Sequence, residues 1–136
     1  MPDRARVRIE IRVVPGGPAA AAIEERLRTI ADEHDAGVEL VEASVEPFET
    51  DGTAPIVEAL LAATVRAGDA RASTIGVPAW TDAHNFVDLA GSQAVVWGPG
   101  DFALAHDPAE AVQVGEVVAA ARVVEELLAG GVEVSA

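Results

Sequence analysis

The chain has 136 residues, half of them hydrophobic but only 4% aromatic, and nine basic residues stand against twenty-three acidic ones for a formal charge of -14. That length suits one ordinary domain with a real core, packed mainly from Ala, Val, Leu and Ile. A field of this sign makes nucleic acid and anionic membranes poor partners; the lack of lysine removes Schiff-base, P-loop and Ser-Lys chemistry, and the lack of cysteine removes disulfides, thiolate nucleophiles and Cys-type metal sites.

The first residues are charged and lead into an alternating pattern without an apolar leader. No apolar run reaches the length of a membrane span, so a soluble, cytoplasmic protein is expected. Residues 6–14 place Val7, Ile9, Ile11 and Val13 on one face and Arg6, Arg8, Glu10 and Arg12 on the other, which predicts a half-buried strand. Pro15, Gly16, Gly17 and Pro18 break it. Ile23, Leu27, Ile30 and Ala31 then recur at helical spacing and predict a helix over residues 19–33, with Gly37 as its stop and a second strand over residues 38–45. The turn formers of residues 47–53 mark a boundary, dividing the chain into a β-α-β segment, 1–48, and a second segment, 49–136.

Thr53 is a natural N-cap for the next helix, with Pro55 in its first turn and a buried stripe of Ile56, Val57, Leu60, Leu61, Thr64 and Val65 running to Gly68. Short strands are expected at residues 73–77 and 93–97, flanking a helix over residues 82–90. The unbroken run Ala94, Val95, Val96, Trp97 reads as a strand covered on both faces. A last helix over residues 115–129 is expected to bury Val117, Val118, Ala121, Val124, Leu127 and Leu128. The fold class is therefore α/β, a β-α-β unit followed by α-β-α-β-α.

Three histidines are present, His34, His84 and His106, and no pair has the i, i+4 spacing with which one helix holds a metal. His106 stands out because it follows the Gly98-Pro99-Gly100 turn and precedes Asp107-Pro108, on irregular backbone that can aim a side chain into a cleft. Thr81 and Asp82 open a helix. They read as a cap and a charge matched to the helix dipole. Gly98 and Gly100 supply a turn that could line a pocket. The pairs Glu24-Glu25 and Glu125-Glu126 read as solvated helix faces. No serine elbow, Walker loop or calcium loop is present, so no autonomous catalytic group is assigned.

Two segments together resemble a known family: Gly76-Val77-Pro78-Ala79-Trp80-Thr81-Asp82-Ala83, and the run from Trp97-Gly98-Pro99-Gly100 through Ala105-His106-Asp107-Pro108-Ala109-Glu110. They are similar to the co-catalytic zinc amidohydrolases that include acetylornithine deacetylase, succinyl-diaminopimelate desuccinylase and carboxypeptidase G. Pro2-Asp3-Arg4-Ala5 adds to the likeness, while the His-x-Asp pair, bridging Asp and catalytic Glu of the family's N-terminal region have no counterpart. The resemblance implies roughly the last third of such an enzyme. Residues 1–48 would belong to a lid or dimerisation domain and 49–136 to the C-terminal part of the catalytic domain. It also implies His106 as one zinc ligand of a two-metal site, and Thr81, Asp82, Gly98 and Gly100 near the substrate.

The activity implied is hydrolysis of an N-acyl amino acid or small peptide amide, dependent on a complementary N-terminal polypeptide. The alternative is a stand-alone, non-catalytic binding or dimerisation protein derived from that family, whose first strand pairs edge to edge in a homodimer.

Overall fold

In the computed structural model, residues 3–41 and 45–131 are described; Pro2 of the opening motif and residues 42–44 of the second expected strand lie outside them. The chain divides into two units, Met1–Glu49 and Thr50–Ala136.

The first unit contains one helix, α1 (Ala20–Glu33). Its i, i+4 series Ile23, Leu27 and Ala31 is half-buried and no residue of the helix is fully buried. The helix stops before Gly37. Asp35 takes the left-handed conformation at φ 52°, and Ala36 N–H donates back to the Ala31 carbonyl at 2.9 Å, which is the Schellman closure. Arg28 pairs with Glu24 one turn earlier and also donates to the Val38 carbonyl at 3.4 Å, tying the helix to the chain that follows it.

Among the described residues none of the four expected strands is formed: there is helix and irregular backbone but no ladder. Residues 6–14 keep their two-sided pattern, since Arg12 Nε donates to Glu10 Oε1 at 2.8 Å, as same-side i, i+2 neighbours do. Their apolar face is nevertheless open, with Val7 78% exposed and Ile9 65% exposed. The reason is physical. Alternation says which side chains share a face, whereas a strand exists only when its N–H and C=O groups find a neighbouring backbone. Val41 and Val45, the described ends of the second expected strand's apolar face, are likewise exposed. Residues 73–77 and 93–97 have no ladder partner either.

The second unit is helical. It contains α2 (Pro55–Arg66), α3 (Ala83–Ala90), a 3₁₀ turn (Phe102–Leu104) and α4 (Val114–Gly130). Helix α2 begins at Pro55, whose missing N–H costs nothing there, with Ala54 rather than Thr53 in the N-cap position. Thr53 is held from behind, because both its N–H and its hydroxyl donate to Asp51 Oδ1 at 2.7 Å. Gly68, at φ +113°, closes the C-terminal end; its N–H donates to the Val65 carbonyl and that of Asp69 to the Thr64 carbonyl.

The core lies where α2 packs on α4, and it is small: Ala54, Val57, Ala63 and Val123 are the buried hydrophobic residues, with Ala63 fully enclosed. Arg66 locks the far end of this pair, donating from Nε to Glu126 Oε2 at 2.8 Å and from Nη2 to the Glu126 carbonyl at 3.0 Å. Glu126 is therefore an ion-pair partner and not simply a solvated face.

The buried side of α4 differs from the expected stripe. Val123 is buried and Ala120 and Leu127 are half-buried, whereas Val117, Val118, Val124 and Leu128 are exposed. This helix carries apolar residues almost all round, so its own periodicity does not select one face.

Candidate functional site

The residues singled out by motif lie in two places in the second unit. Thr81 and Asp82 precede α3. Asp82 occupies the N-cap position without a side-chain cap bond, and the carbonyls of Thr81 and Asp82 accept from the N–H groups of His84 and Asn85 at 3.1 and 3.0 Å. Backbone turning, and not a side-chain cap, thus starts the helix.

Gly98, Gly100 and His106 lie in the loop that carries the 3₁₀ turn. Gly100 adopts φ +96°, which an L-residue rarely takes, and a side chain built there would meet Val112 at 3.7 Å. The loop is exposed, apart from half-buried Ala105. Hydrogen bonds hold it instead of packing. Asp101 Oδ1 accepts from Ala103 N–H at 2.9 Å and Asp107 Oδ1 from Ala109 N–H at 2.8 Å, two local carboxylate turns.

His106 sits between them at φ 66°, in the left-handed region, where an L-residue is uncommon and histidine is enriched. Its N–H donates to Glu110 Oε2 at 2.8 Å. No hydrogen bond joins Thr81, Asp82, Gly98, Gly100 and His106 to one another.

A separate feature was not foreseen. An apolar groove of about 480 Å³ opens among Ile56 and Leu60 of α2, Phe86 of α3, Leu127 of α4, and Val95 and Trp97. Thr50 Oγ1 donates to the Ala94 carbonyl at 2.6 Å and pins the segment that forms its wall. Phe86 and Trp97 are 62% and 41% exposed. None of the groove's lining residues is titratable, so it can bury apolar groups but offers no proton donor or acceptor of the acid-base kind. Its sequence signal is the apolar run ending at Trp97, the same run whose hydrophobicity predicts a strand.

Among the described residues no group of three His, Cys, Asp or Glu side chains is placed to hold a metal ion. A two-metal site therefore does not fit this donor set by itself, since each zinc takes about four ligands. Among the motif residues His106 offers an exposed imidazole on a hydrogen-bonded turn and Asp82 a carboxylate, both groups of zinc-ligating chemistry. No helix among the described residues is long and apolar enough to cross a membrane.

Residues 2–130 match the Peptidase family M20/M25/M40, and the chain belongs to that family. Over 130 residues it is 34% identical to a protein provisionally named succinyl-diaminopimelate desuccinylase DapE, found in two strains of Mycobacterium tuberculosis. The match covers 96% of this chain and 34% of that relative, so the chain spans about a third of the length of the curated relatives it matches. No solved structure matches it.

Proposed function

We propose that this chain supplies the C-terminal part of a zinc-dependent amidohydrolase, with His106 as its one contribution to the metal site and a complementary N-terminal polypeptide supplying the other ligands. The observation that carries the reading is the family match along nearly the whole chain at only a third of a relative's length. The open apolar groove beside α2, α3 and α4 is in keeping with it, since its apolar side chains would gain from being covered by a partner.

In the assembled enzyme, residues 6–14, 38–41, 73–77 and 93–97 pair with backbone from the complementary polypeptide, and the α/β class is realised there. Residues 1–48 act as the lid or dimerisation segment. Thr81, Asp82, Gly98 and Gly100 line the substrate side, and the substrate is an N-acyl amino acid, in the first instance a succinyl one.

The second reading, a non-catalytic dimerisation protein, draws on the same exposed apolar surfaces, which a second copy of the chain would cover equally well. Native mass spectrometry of the chain purified from its own source separates the two. The expected spectrum contains a partner about twice this chain's length together with bound zinc, and His106→Ala lowers the zinc content and the hydrolysis of an N-succinyl amino acid while the fold persists. A metal-free homodimer with no other polypeptide would overturn the enzymatic reading.

A further inference from the structure

We propose that Glu110 is the positioning residue for His106: its carboxylate holds the backbone of His106 in the left-handed conformation and so sets the bearing of the imidazole before any partner arrives. The inference deepens the functional reading above and rests on His106 being the group that this chain presents.

Four observations carry it. First, His106 is one of two non-glycine residues among those described with positive φ, and the other, Asp35, serves a helix end. It follows the C-cap of the 3₁₀ turn as the third residue of the turn Leu104–Asp107, which Asp107 N–H closes on the Leu104 carbonyl at 2.9 Å; with Ala105 at φ -57°, ψ 127° that turn calls for positive φ at His106, at a steric cost glycine would not have. Second, the loop has almost no packing to hold that turn in place, since only Ala105 between residues 98 and 110 is even half-buried.

Third, every backbone N–H from Ala103 to Glu110 is hydrogen-bonded, Pro108 having none to give. Ala103 and Ala109 donate to the Asp101 and Asp107 carboxylates; Leu104, Ala105, Asp107 and Glu110 donate to the carbonyls of Asp101, Phe102, Leu104 and Asp107. These six bonds are local turns that any similar sequence could close. The seventh is different in kind. His106 N–H is satisfied by a side chain four residues on, Glu110 Oε2 at 2.8 Å, and a bond to a charged acceptor is among the stronger ones available to an exposed loop.

Fourth, Pro108 restricts its own φ and the conformations open to Asp107, so the segment between the two ends of that bond has little freedom to lengthen. Without the Glu110 acceptor, His106 N–H turns to water and the residue relaxes toward extended backbone, which swings the Cα–Cβ direction and takes the imidazole with it. A side chain that must meet a metal at a fixed distance and angle loses by such a swing even when it stays solvent-exposed.

The test is amide hydrogen exchange on the intact chain, compared across Glu110→Ala, Glu110→Gln and the wild type. In Glu110→Ala the His106 amide is expected to exchange roughly tenfold faster, while amides in α2 and α4 keep their rates, as local opening requires. Glu110→Gln, whose side-chain oxygen still accepts, restores most of the protection. In the native mass-spectrometric assay the two variants follow the same order in zinc retained.

An unchanged His106 rate in Glu110→Ala overturns the proposal, and so does an equal acceleration in α2 and α4, which would make Glu110 merely structural. If instead the exchange results hold and His106→Ala leaves zinc content untouched, the functional reading of His106 falls while the backbone assignment to Glu110 stands.

Discussion

The two units of this chain differ less in composition of pattern than in what their patterns find to pack against. The first has an alternating segment and an amphipathic helix, yet none of the residues buried in the structure belongs to it. The second has two apolar helices, α2 and α4, that meet each other and enclose Ala54, Val57, Ala63 and Val123. Amphipathicity only becomes burial when a second face is in reach. Helices α2 and α4, though far apart in the chain, each satisfy their own backbone and need only the other's apolar face, whereas an alternating strand needs a neighbour for its backbone as well.

The largest expected effect breaks or upholds this comparison directly. Ala63→Leu inserts three carbons where there is no free surface and should destabilise the second unit by about 1–3 kcal/mol, measured by urea unfolding. Ile11→Ala, at a residue 47% exposed in the first unit, should stay within about 0.5 kcal/mol. Equal costs for the two would mean that the alternating segment is packed and the contrast is false.

A smaller effect sharpens the picture of the first unit. With little packing, α1 should be sensitive to its own ends, and Asp35 holds a left-handed conformation that suits glycine better. Asp35→Gly should therefore strengthen the helix by roughly 0.5–1 kcal/mol, seen as a higher helical circular dichroism signal at moderate temperature. No gain would show that something other than the helix end limits α1.

The smallest effect lies at the entrance to the second unit. The hydroxyl of Thr53, and then its N–H, hold the Asp51 carboxyl below its ordinary value of 3.8. A depressed folded value means that the contribution is present above pH 3.8 and is lost as pH falls through the lower folded value. Because Asp51 is fully exposed the effect is slight. Asp51→Asn should flatten the pH dependence of the urea midpoint below about pH 4, and an unaltered slope would remove Asp51 from the account.

Much of the helical layout was legible along the chain. Pro55 and Gly68 mark ends through chemistry that acts within a few residues, and the helices begin and end within a residue or two of where periodicity places them. His106 was legible as a residue of interest from its turn. Glu110 stood in the same motif, but its bond to His106 was not legible, since a glutamate four residues after a histidine announces none until the backbone between them is bent. The groove went unread for a related reason, as Ile56, Phe86, Trp97 and Leu127 come from four separate stretches of sequence.

What the sequence by itself determined is the set of local structures: where helices start and stop, the tight turns at Asp101 and Asp107, and membership of an amidohydrolase family carried by short motifs. Only the tertiary structure decided which face of α4 is covered, where apolar side chains form a groove, and that residues 6–14 stand without a ladder. Capping and turn bonds are closed by neighbours in the chain, so the residues alone specify them. Burial and strand pairing need surfaces distant in sequence, and those are chosen by what the folded chain brings within reach.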